Sequence, residues 1–132
     1  MAGFLLFAVC ELSSPNYPAN PDIATLFSSN SFIEDSLKDI ATVERSFAML
    51  KLNGIFDKVS AIILGKHELF DNAGSGRQPY EVLREVLAGQ PMPIVDGFDC
   101  CHTHPMLTLP LGATLCIDFD QSLVSIISRY LS

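Results

Sequence analysis

Two clusters in this chain hold the residue types that chemistry needs. Glu34-Asp35 follows the apolar pair Phe32-Ile33, and Asp99-Cys100-Cys101-His102-Thr103-His104-Pro105 lies between two strand-like segments. Both fall on loops at strand ends, where a rigid frame can expose a side chain. A carboxylate and an imidazole placed this way form two members of a nucleophilic triad. The ring accepts the nucleophile's proton, while the carboxylate fixes the ring's tautomer and stabilises its charged form. A purely structural assignment competes: Glu34 caps the following helix, where a negative charge favours the helix dipole, and His102 bonds backbone in its loop.

Other chemistry is less well supported. His102 and His104 would face the same way on an extended strand, and Cys100 would add a soft zinc ligand. A fourth ligand is not evident and Pro105 interrupts the extended run, so no metal and no other cofactor is assigned. His67-Glu68 opens like a metalloprotease helix but has no second histidine one turn later. Cys100 or Cys101 would need a lowered pKa to act as a nucleophile, and a charged His102 is the nearest cause. Gly74-Ser75-Gly76-Arg77 lacks the Lys-Ser/Thr pair of a phosphate loop.

The frame that must position these residues is small. The chain has 132 residues, 48% hydrophobic and 17% charged, with a formal net charge of -7. That describes one mildly acidic domain able to bury its own core. The 8 Lys and Arg are scattered among 15 Asp and Glu, so nucleic acid is set aside as a partner. The longest apolar run, residues 3–10, is too short to span a bilayer. It also lacks the basic flank and cleavage site of a secretion signal. The expectation is a cytoplasmic protein without a membrane partner, its four cysteines (Cys10, Cys100, Cys101, Cys116) free thiols.

Residues 1–31 are punctuated by Pro15, Pro18 and Pro21 and by Ser/Asn clusters. They predict an irregular N-terminal segment with at most a short helix near residues 23–27. Residues 32–132 are more orderly. Ile40, Val43, Phe47 and Leu50 recur at helical spacing, which predicts a helix over 37–52 stopped by Asn53-Gly54. Residues 59–64 predict a buried strand closed by Gly65. Pro79 predicts the start of a second helix whose Tyr80, Leu83 and Leu87 share a face, ending at Gly89. Residues 92–95 and 107–109 predict short strands, and 113–119 with 123–127 a closing hairpin.

Four blocks together resemble a known family. They are Phe32-Ile33-Glu34-Asp35, then Glu44-Arg45-Ser46-Phe47 with Leu50-Lys51-Leu52-Asn53-Gly54-Ile55-Phe56, then Ile62-Ile63-Leu64-Gly65-Lys66. The last is His102-Thr103-His104-Pro105-Met106-Leu107-Thr108-Leu109-Pro110-Leu111-Gly112. Their residues and order resemble the C-terminal domain of the serine LD-carboxypeptidases, which include peptidoglycan (murein) tetrapeptide carboxypeptidases and microcin C immunity proteins. The likeness runs from about Phe32 to Ile127. It implies a mixed α/β domain with a small, partly barrel-like sheet flanked by two main helices, and it implies a homodimer.

The resemblance also implies a Ser-Glu-His triad divided between two domains, with Glu34 and His102 at the family's glutamate and histidine positions. The serine would come from an N-terminal nucleophile domain, and the substrate would be an amide in a peptide or an aminoacyl-nucleotide. Two positions depart from the pattern: Cys101 and Ala61 stand where the family commonly has glycine. No serine in residues 1–31 lies in a glycine-rich nucleophile turn. The expectation is therefore the C-terminal half of a serine carboxypeptidase, inactive without its nucleophile domain. The alternative is a non-catalytic binding or assembly module derived from that domain.

Overall fold

The computed structural model describes residues 8–10, 30–100, 102, 104–110 and 113–127. Its elements in chain order are β1 (Ala8–Cys10), β2 (Asn30–Ile33), α1 (Ile40–Leu52), β3 (Ala61–Gly65), α2 (Pro79–Leu87), β4 (Ile94–Phe98), β5 (Leu115–Asp118) and β6 (Leu123–Ile126). β2, β3 and β4 pair in parallel, joined by the two helices, and β1 adds an antiparallel edge to β2. β5 and β6 form a separate antiparallel hairpin. The mixed α/β class read from the sequence is the one observed.

β3 is buried along its whole length, as its branched residues require of a strand covered on both faces. Ile62 and Leu64 join Ile33 on one face and meet Val43, Phe47 and Leu50 of α1 and Val82, Leu83 and Leu87 of α2. Ala61 and Ile63 join Phe32 on the other face and meet Cys100, Leu115 and Ile117, so the hairpin covers that side. The helix side is the larger core and fixes the sheet; the hairpin side is where Glu34 emerges.

Several boundaries differ from expectation for local reasons. Leu37 has φ 57°, which no helix accommodates, so α1 starts at Ile40 behind an extended Asp39 cap. The Asp39 carboxylate accepts from Thr42 N–H at 2.7 Å, and hydrogen bonding from the Thr42 side chain, with this backbone bond second, holds its pKa below the ordinary value. Gly54, at φ 67°, supplies the expected stop. α2 begins at Pro79 and closes at a left-handed Ala88, just before Gly89. β4 is shifted to Ile94–Phe98 because prolines at 91 and 93 have no N–H to give, and Pro93 contributes only its carbonyl, to Ile62 N–H at 2.9 Å.

Of residues 107–109 only Leu107 pairs, through an isolated bridge to Cys100. Within the segment expected to be irregular, Ala8–Cys10 forms β1 against β2, and β2 itself begins at Asn30. The suggested helix at 23–27 and Cys101 lie outside the described residues. Among the described residues, no helix is long and apolar enough to cross a membrane.

Phe47 sits 1% exposed where α1 meets the sheet and α2. Phe47→Ala is expected to lower the unfolding free energy by about 3–5 kcal/mol in urea titrations.

Candidate active site

The three parallel strands end together, and the site is built at their C-terminal ends. Glu34 is the first residue after β2. The pairing of Ile33 with Leu64, carried one step further, sets Glu34 beside Gly65, the last residue of β3. A Cβ at Gly65 would lie 3.0 Å from both Cβ and Cγ of Glu34 and 3.3 Å from Phe32 Cζ. Glycine therefore gives the carboxylate stem its room, since a side chain there would press on Glu34 and Phe32.

His102 arrives from the loop after β4. Its Nδ1 lies 2.7 Å from Glu34 Oε1 although 68 positions separate the two residues. A carboxylate only accepts, so Nδ1–H is the donor, and in the neutral ring Nε2 carries the lone pair. The glutamate side chain is 1% exposed and the histidine 53%, so one partner is fixed by the fold and the other is open to an incoming molecule. The capping role considered for Glu34 belongs to Asp39, and His102 bonds the Glu34 side chain.

The loop that carries His102 is closed by Leu107 N–H donating to the Asp99 carbonyl at 3.1 Å. Cys100, buried in the hairpin-side core, anchors it from below, its N–H 3.0 Å from the Phe98 carbonyl. Lys66, directly after β3, forms an ion pair with Asp99. The zinc arrangement of Cys100, His102 and His104 does not form: Cys100 faces the core while His102 turns to Glu34. Among the described residues, no group of three or more His, Cys, Asp or Glu gathers as a metal site.

The sequence marks His67 with no role, yet the structure puts it near Glu34. Its Nδ1 lies 3.1 Å from the Gly65 carbonyl and its ring meets Phe47 edge-on at 6.1 Å between centroids. Burial pushes its pKa below the ordinary 6.5, with the Gly65 bond and the charges of Glu34, Asp35 and Asp96 acting in the opposite sense. His67 lines a cleft of about 280 Å³ with Lys66, Tyr80 and Asp96. Its place two residues past a strand that ends in glycine, in the run Gly65-Lys66-His67, was the available signal. Asp35 is also buried, with Oδ1 accepting from Ser36 N–H at 2.8 Å.

The comparisons with known proteins point one way. The family model for the LD-carboxypeptidase C-terminal domain matches residues 19–117. The microcin C7 self-immunity protein MccF of Escherichia coli is 72% identical over 101 residues, covering 76% of this chain. A Vibrio cholerae relative is 61% identical over 98 residues, covering 74%. The chain spans 29% of the length of each of these curated relatives. A solved structure of MccF superposes with a TM-score of 0.77, over 78% of this chain and 31% of that one. MccF has been solved in complex with glutamyl sulfamoyl guanosine and with aspartyl sulfamoyl adenosine. A muramoyltetrapeptide carboxypeptidase from Oxalobacter formigenes matches at TM-score 0.61 and 26% identity, over 72% of this chain and 34% of that one.

Two outcomes are expected. Gly65→Ala should destabilise the chain by about 1–3 kcal/mol through overpacking and should displace Glu34 from His102, seen as loss of the hydrogen-bonded Nδ1 proton in NMR spectra. The pKa of His67 is depressed, so the unfolded chain takes up its proton first as pH falls through 6.5. Stability is full above that pH and declines below it. Between about pH 7.5 and about pH 5.5, wild type should lose more stability in urea titrations than His67→Asn.

Proposed function

This chain belongs to the LD-carboxypeptidase C-terminal domain family, and we propose that residues 32–132 supply two members of a serine-type amide hydrolase's triad, Glu34 as orienter and His102 as general base. The observation that carries this reading is the 2.7 Å bond between His102 Nδ1 and a glutamate carboxylate that is 1% exposed. With Nδ1–H held by Glu34, Nε2 takes the serine proton as the oxygen attacks the amide carbonyl. It then hands that proton to the leaving amine. Glu34 stabilises the imidazolium in between and keeps the tautomer fixed. Water repeats the sequence on the acyl-enzyme.

The serine is assigned to a separate nucleophile domain, a reading supported by curated relatives of which this chain spans 29%. The substrate class favoured is an aminoacyl-nucleotide amide. The relative solved with aminoacyl sulfamoyl nucleosides is 72% identical, against 26% for the muramoyltetrapeptide enzyme. A peptidoglycan tetrapeptide is the second candidate.

Alone, the chain is expected not to cleave an amide-linked aminoacyl-adenylate analogue or a murein tetrapeptide. Mixed with a separately produced serine-bearing domain of the family, it is expected to restore cleavage. His102→Ala should lower kcat in that mixture by roughly 10⁴-fold, and Glu34→Gln by roughly 10²- to 10⁴-fold. A His102→Ala mixture as fast as wild type would refute the assignment. Failure of a well-folded mixture to cleave either substrate would favour the binding or assembly module.

A further inference from the structure

His102 stands on irregular backbone with a side chain 53% exposed, so burial of the ring does not set its position. The bond to Glu34 requires the loop to leave β4 at one particular place. Two anchors act within the loop or from below it, the Leu107–Asp99 backbone bond and the buried Cys100. The first stays within the loop, and Cys100 meets β3 only in the core, with Ala61 and Ile63, short of the strand end where Glu34 packs. Lys66 acts at that end. It follows Gly65, the residue in contact with the Glu34 stem, and its Nζ pairs with Asp99 Oδ1 at the start of the His102 loop. Its backbone N–H donates to the Phe98 carbonyl at 3.4 Å, so the crossing from β3 is made twice.

We propose that Lys66 is a positioning residue for the Glu34–His102 pair, acting through Asp99 to fix where the His102 loop departs from the sheet. The catalytic consequence rests on the hydrolase reading above; the structural claim does not. Lys66 and Asp99 are 42% and 36% exposed, and ion pairs that open to water add little to folding. What the pair does supply is location. It ties the base's loop to the strand that bounds the orienter, in a site where a displacement of about 1 Å can cost roughly 100-fold in rate.

Lys66 also lines the cleft beside His67, so a direct role toward a ligand is the competing account. The two differ at Asp99. If Lys66 acts through Asp99, removing either member gives the same defect and restoring the pair repairs it. If Lys66 meets the ligand itself, Asp99→Asn leaves the site intact.

The test is NMR of the His102 ring in the full chain. Wild type should show one tautomer, protonated at Nδ1, with slow proton exchange. Lys66→Met and Asp99→Asn should each speed that exchange roughly tenfold, the double variant no more than either single, as for residues coupled in one network. Lys66→Arg and the swapped pair Lys66→Asp with Asp99→Lys should restore it. Should Lys66→Met not fold, Asp99→Asn and the swap carry the comparison.

With the serine-bearing domain added, the single variants should lower kcat by about 10- to 100-fold while KM stays within about twofold. An unchanged His102 signal in both single variants overturns the proposal, as does a defect in Lys66→Met that Asp99→Asn does not share. If even wild type fails to cleave in the mixture, the hydrolase reading fails, and the ring spectra still decide the role of Lys66.

Discussion

A carboxylate removed from water must find a partner, because the desolvation of an unpaired ion exceeds what a fold of this size can absorb. Glu34 is such a group, and His102 is its partner at 2.7 Å. The arrangement depends on a missing atom. Without a Cβ at Gly65, the Glu34 stem can lie against β3. With one, the stem would have to give way by a few tenths of an ångström, and the carboxylate it carries is the one that meets the imidazole. A steric vacancy on one strand and an electrostatic demand on the next therefore fix a pair that no sequence-local force brings together.

Parallel strands make this possible because their ends coincide. In open α/β sheets the crevice at the strand C-termini is where ligands gather, and β2, β3 and β4 each deliver something to that edge: Glu34, Gly65-Lys66, and the loop with His102. The β2 and β3 chains stay together past the sheet. Leu37 N–H meets the Glu68 carbonyl at 2.8 Å, Ile40 N–H the Asp71 carbonyl at 2.8 Å, and Asp71 N–H the Lys38 carbonyl at 3.0 Å. This lashing holds Glu34 from the C-terminal side, just as β2 holds it from the N-terminal side. It also forces Leu37 and Leu69 into left-handed backbone with both side chains 71% exposed. Strained, exposed leucines at this edge are what folding alone would avoid. A domain covering this edge would give them a function.

Much of this was legible in the sequence. The α1 stripe, the Asn53-Gly54 stop, the branched β3 run and Pro79 at the start of α2 all announce themselves through local rules, and the structure follows them. The boundaries that moved did so for equally local reasons: Leu37 left the helical region, and Pro91 and Pro93 delayed the pairing of β4. Glu34 and His102 were picked out by residue type, strand-end position and family resemblance, though type and position alone left helix capping open. What could not be read was contact across strands. The need for glycine at 65 appears only when Glu34 is seen beside it, and the Lys66–Asp99 link only when β3 and β4 are in register. The burial of His67 has the same origin, since a histidine two residues past a strand carries no mark of which face it will join.

The exposure of His102 completes the physical picture. A general base needs one nitrogen fixed and the other accessible, and the Glu34 bond meets the first condition while the open face of the ring meets the second. Yet the stabilisation that makes such a pair effective grows as water is excluded, because the field of a buried carboxylate is screened by solvent around the ring. This chain buries Glu34 and leaves His102 half in water. The fold thus prepares the tautomer but not the dielectric, and on the hydrolase reading proposed above the surface that brings the nucleophile would also supply the enclosure. Covering of the apolar rim and activation of the base would then be one event, with docking setting the electrostatics of the site as well as its composition.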